Sequence, residues 1–151
     1  MRVITESNWL AELAFSSQHS AFSQSEEFPV KNFRDLQVWN KAHQLTLKAY
    51  MATQEFPRQE IYGLTSQIRR CAASIAANIA EGCGKRGNAE FTRFLGIAAG
   101  SASELEYHFL LAHDLHLLGE TPYQELHHAT TEVKRMLASL IRKAEAERVG
   151  T

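Results

Sequence analysis

The stretch QIRRCAASIAANIAEGCGKRGNAEFTRFLGIAAGSASEL, Gln67 to Leu105, decides the fold. On its first half Leu64, Ile68, Cys71, Ile75, Ile79 and Gly82 recur every three or four residues, the period of one helix face. On its second half Phe91, Phe94/Leu95, Ala98, Ala102, Leu105, Phe109, Ala112 and His116 repeat the pattern. Between them lies Gly82-Cys83-Gly84-Lys85-Arg86-Gly87, where glycine permits the backbone that ends a helix. Asn88 is placed as the N-cap of the next helix, with Glu90 favourable in its first turn. The reading is two amphipathic helices joined by a short basic turn.

The same period extends in both directions. Upstream, Leu36, Trp39, Ala42, Thr46, Ala49 and Thr53 share a helix face, and Trp39 is expected in the core. Phe56-Pro57 stops that helix, because proline lacks a donor and restricts the residue before it. The second helix is expected to start near Gln59. Downstream, Gly119 ends a third helix of about 30 residues, about 45 Å at 1.5 Å per residue. Thr121-Pro122-Tyr123-Gln124 reads as a capping box with proline at the first helical position. Leu126, Ala129, Val133, Met136/Leu137 and Leu140/Ile141 carry a fourth helix to about Glu147. No segment alternates with period two. The expectation is all-α, an up-down-up-down four-helix bundle over residues 31–148.

Composition bounds the function. The chain has 151 residues, of which 44% are hydrophobic, enough for one domain with its own core. Net charge is −1, so there is no overall basic field for nucleic acid. The charge is uneven: residues 1–30 hold Arg2 against Glu6, Glu12, Glu26 and Glu27, leaving the remainder at +2. This Ser-, Gln- and Glu-rich start, closed by Pro29, is expected to be a flexible extension; the alternative is a short helix from Trp9 to Phe15 that docks on a partner. Cys71 and Cys83 suit reduced core or interface residues better than a disulfide framework. No apolar run reaches the roughly 18 residues of a membrane span, and no signal peptide is evident. A cytoplasmic location is expected.

The wording resembles the family of 23S rRNA-intervening sequence proteins. The matching text is Phe33-x-x-Leu36-x-Val38-Trp39-x-x-Ala42, then Tyr50, Thr53 and Phe56-Pro57, then Glu60-x-Tyr62-Gly63-Leu64, Gln67-Ile68-Arg69-Arg70 and Ser74-Ile75. The tightest match is Asn78-Ile79-Ala80-Glu81-Gly82, followed by Phe91-x-x-Phe94-Leu95-x-Ile97-Ala98, Gly100-Ser101 and Glu104-Leu105. Two departures stand out: Ala76 where the family often has proline, and His116-Leu117 where it often has Gly-Tyr. The resemblance implies a four-helix bundle assembling as a ring, commonly a homopentamer. A distant branch of the fold resembles the accessory protein of diversity-generating retroelements, which binds a reverse transcriptase and nucleic acid.

Four groups of residues compete as functional sites. Ala73, Ala76, Ala77 and Ala80 help make the second helix small on several sides, which suits an intersubunit seam or close packing within the monomer. Asn78, Glu81, Ser101 and Glu104 interrupt apolar helices. Their expected role is a satisfied network that fixes register, with Arg69 or Arg70 reaching in. A paired-carboxylate site for acid–base or metal chemistry is the rival, and it lacks a nucleophile. Arg69, Arg70, Lys85, Arg86 and Arg93 form the basic group available to RNA phosphates or another acidic partner. Their glycine turn lacks the preceding strand and the Gly-Lys-Ser/Thr ending of a P-loop, so nucleotide binding is rejected. His108, His113, His116, His127 and His128 bracket the turn between the third and fourth helices and permit a metal site in principle.

The expected function is therefore a non-enzymatic homo-oligomeric scaffold that needs no cofactor or metal. The alternative is an RNA-binding accessory protein that partners a reverse transcriptase. A metal-dependent enzyme is the remote third reading.

Overall fold

The computed structural model describes residues 31–150. Within them run four helices, α1 (Gln37–Thr53), α2 (Leu64–Cys83), α3 (Asn88–Asp114) and α4 (Glu120–Val149), with single 3-10 turns at Phe33–Asp35 and Arg58–Glu60. Among the described residues there is no strand. The expectations for residues 1–30 lie outside the described residues.

One core joins all four helices. From α2 it takes Leu64, Ile68, Cys71, Ile75 and Ile79, as the periodicity predicted, and from α3 Phe91, Leu95, Ala98, Ala102, Leu105, Phe109 and Ala112. In α1 the stripe is rotated from the expected one. Val38 and Leu45 are buried with Ala42, Ala49 and Thr53, while Trp39 and Thr46 sit at the edge. Trp39 is half-buried because its ring stacks on His43 at 5.1 Å and tilts against Phe33 at 4.8 Å.

Close helix approach depends on small side chains. A Cβ on Gly82 would lie 2.9 Å from the Phe94 Cβ and 3.3 Å from the Phe91 ring, so only glycine lets α2 and α3 meet there. Thr46 Oγ1 donates across to the Ala72 carbonyl at 3.0 Å, joining α1 to α2. Pairs between α2 and α3 run in opposite senses: Arg70 meets Glu104, Ser74 meets Ser101, and Gly82 meets Phe94.

The helix ends differ from expectation in four places, each for a local reason. α2 begins at Leu64 and not near Gln59, because Arg58–Glu60 forms a 3-10 turn and Glu60 Oε2 accepts from the Leu64 N–H at 3.1 Å. α3 is preceded by Gly87 at φ +83°, so Asn88 is its first helical residue and not its cap. The Asn88 amide instead bridges Lys31 and Glu147, each at 3.3 Å. α4 is preceded by Gly119 and starts at Glu120, which moves Pro122 to the third helical position; Thr121 forms no cap. α3 ends at Asp114, and His116 is exposed with φ 60°. The Leu117 N–H then reaches the Ala112 carbonyl at 2.8 Å and the His116 N–H that of His113 at 2.9 Å, the paired bonds of a left-handed helix stop.

Candidate functional site

The outward face shared by α2 and α3 holds Asn78, Ser101, Glu104 and Arg70 beside the small residues of α2. Its centre is the contact of Ser74 Oγ with Ser101 Oγ at 2.9 Å. Asn78 Nδ2 donates to the Ser74 carbonyl at 2.7 Å and to Ser74 Oγ at 3.0 Å. Asn78, Ser74 and Ser101 thus satisfy one another where two helices of small residues adjoin. Glu81 is not part of this network: it is exposed and pairs with Lys85 at 3.6 Å, one turn along α2.

Small residues flank that serine contact on both helices. Ala77 is exposed and Ala73, Ala76 and Ala80 are half-buried, with Ala76 packed against the core. On α3, Gly96 and Gly100 are exposed, and a Cβ on either would meet nothing within 4 Å. Ile97 lies between them, also exposed. Glycine inside a helix costs about 1 kcal/mol relative to alanine. Packing among the described residues gives no steric reason for these two.

Glu104 belongs to a second, tighter group. Its Oε1 lies 3.3 Å from His108 Nε2, one helical turn on, and 3.8 Å from Arg70. Its carboxylate also accepts from the buried Cys71 thiol. Cys71 Sγ, a Glu104 oxygen and a His108 ring nitrogen all lie within 4.8 Å of one another. Burial, and then the bond to Glu104, push the thiol up to about 12. The bonds from Cys71 and His108 in turn hold the Glu104 carboxyl below its ordinary value. His108 Nδ1 is buried and has no hydrogen-bond partner among the described residues. Sequence reasoning put Cys71 in the core, Glu104 in a polar network and His108 among the histidines, and so missed their convergence. The available signal was the four-residue spacing of Glu104 and His108.

The five basic residues do not form one patch. Arg70 and Lys85 are fifteen positions apart on and beyond α2, about 22 Å at 1.5 Å per residue. Arg69 Nε donates to Thr53 Oγ1 at 2.9 Å, and its guanidinium lies over the Tyr50 ring. Arg70 is held by Gln67 and Glu104. At the turn, Arg93 makes two 3.1 Å bonds to Glu90, whose carboxyl it holds below the ordinary value. Lys85 pairs with Glu81. Arg86 is exposed and engages no carboxylate among the described residues.

The remaining histidines disperse. His113 Nε2 meets Glu120 at 2.7 Å and its ring stacks on Tyr123 at 4.3 Å. His127 approaches Glu106 at 4.0 Å, while His116 and His128 are exposed. Among the described residues they do not gather into a metal-binding cluster. Nor is any helix of the described residues long and apolar enough to cross a membrane.

A search of curated proteins finds no match. Among solved structures, a protein with unknown function from the S23 ribosomal protein family of Bacteroides thetaiotaomicron VPI-5482 is similar, with a TM-score of 0.63 and 27% sequence identity. The alignment covers 69% of this chain and 97% of that one. The sequence profile described as 23S rRNA-intervening sequence protein matches residues 34–139. Spanning most of the chain, and agreeing with the four helices and the solved relative, that match places the protein in the 23S rRNA-intervening sequence protein family.

Proposed function

We propose that the protein is a non-enzymatic scaffold: an up-down-up-down four-helix bundle that assembles with copies of itself into a ring of five. The observation that carries this reading is the pair Gly96 and Gly100 on the exposed face of α3, beside the small-residue face of α2. Two interior helix glycines that relieve no contact among the described residues have a physical use if a neighbouring backbone approaches them closely. The seam would then comprise Ala73, Ala77 and Ala80 of α2 with Gly96, Ile97 and Gly100 of α3. The opposed runs of the α2–α3 pairs support the proposed helix order.

In such a ring the α2–α3 turn is repeated in every subunit. Arg86, which meets no carboxylate among the described residues, is the cation of that turn best available to an acidic partner, and RNA is the partner we favour over a reverse transcriptase. Lys85 and Arg93 contribute less because Glu81 and Glu90 already engage them. Work of this kind belongs in the cytoplasm. The test of assembly is the mass of the native particle and its response to Ala77→Leu, which places a large side chain in the seam. Ala77 is exposed, so the substitution leaves the monomer fold intact and should lower the native mass. An unchanged mass would remove α2 from the interface.

A further inference from the structure

The group formed by Cys71, Glu104 and His108 presents sulfur, oxygen and nitrogen to one point between α2 and α3. We propose that this group binds one divalent cation of the zinc class, with water in the open coordination position. The site is independent of the assembly reading and nothing in the scaffold role requires it.

Geometry argues for it first. The register that sets Ser74 against Ser101 also sets Cys71 against Glu104, one turn further along each helix. Glu104 and His108 follow at four residues on α3, so both project from the same face. His108 Nε2 and Glu104 Oε1 are 3.3 Å apart, matching the edge of a tetrahedron with metal–ligand bonds of about 2.0–2.1 Å.

Chemistry selects the ion. A thiolate, an imidazole and one carboxylate suit zinc and similar borderline metals, whereas calcium and magnesium favour all-oxygen sites. Three protein ligands leave one position open. Burial is graded across the site: Cys71 is 2% exposed, the His108 side chain 13% and the Glu104 side chain 48%. An ion therefore enters from the carboxylate side and meets the sulfur at the floor. The thiol proton leaves to solvent as the cation binds, and the sulfur lone pair forms the metal bond.

Two further features fit. Among the described residues the polar anchoring of the His108 ring comes from its Glu104 contact alone, through the same Nε2 that a metal would take, and Nδ1 is unpartnered. Arg70 lies 3.8 Å from the same Glu104 oxygen and two-thirds exposed, where it balances the carboxylate when no cation is present.

The test titrates the full-length protein with Co²⁺ alone and follows the near-ultraviolet thiolate-to-cobalt band, then displaces the cobalt with Zn²⁺. The expected result is one Co²⁺ per chain with that band. Cys71→Ser should abolish the band, and His108→Gln should weaken binding at least tenfold with helix content unchanged. Arg70→Gln should tighten binding, since it removes the competing cation; a merely structural cluster gives no such gain. Should Cys71→Ser fail to fold, His108→Gln and Arg70→Gln decide. Saturation without the thiolate band, or binding untouched by His108→Gln, would overturn the proposal.

Discussion

His116 holds φ 60° just past the end of α3, where a side chain bearing a Cβ is strained by about 1–2 kcal/mol. Its side chain is exposed, so glycine there sacrifices little. His116→Gly should raise stability by about 0.5–1 kcal/mol, read as a higher urea midpoint at unchanged slope. Gly82 is the converse. Gly82→Ala forces its Cβ against Phe94 and Phe91 and should cost about 1–3 kcal/mol in the same assay. Cys83 adds a pH dependence. Burial pushes its thiol up to about 11, opposed by nearby Lys31, so the folded state keeps a proton that the unfolded chain loses near pH 9. Stability from this thiol is fully present below that pH and declines as pH rises towards 11. The stability advantage of the wild type over Cys83→Ala should shrink by on the order of 1–2 kcal/mol between pH 8 and 10.5. The residue scale was the least legible in the sequence. Asn88 looked like a cap because its local spacing was right, yet its amide is claimed by Lys31 and Glu147, which are close only after folding.

At the scale of elements, the buried stripes of α2 and α3 were legible because a period of 3.6 residues survives in any window of a long amphipathic helix. α1 was harder: Trp39 drew the expected face towards itself, while Val38 and Leu45 face the core. The expected polar network divided for a similar reason. Spacing along one helix relates Asn78 to Ser74 and Glu104 to His108, but register between helices decides that Ser101 joins the first pair and Cys71 the second. The exposed glycines give the sharpest prediction at this scale. In an isolated bundle Gly96→Ala and Gly100→Ala should each stabilise α3 by about 1 kcal/mol. In a seam they should loosen assembly despite that gain. Sedimentation and melting of the double variant distinguish the two: lower particle mass supports the seam, and higher stability at unchanged mass opposes it.

At the scale of the whole molecule, charge pairing sets the expected behaviour towards RNA. A chain of net charge −1 has no overall basic field, and Arg70, Lys85 and Arg93 already face carboxylates. On the proposed assembly, affinity would come from repeating Arg86 around the ring. Arg86→Glu should weaken RNA binding more than Lys85→Glu or Arg93→Glu, measured as affinity against salt concentration. All of this rests on assembly, and the native mass spectrum of the untagged full-length protein tests it most directly. The account predicts one species at five times the 17.0 kDa chain mass, about 85 kDa. A bare monomer at 17.0 kDa would contradict the ring, the glycine seam and the repeated arginine together.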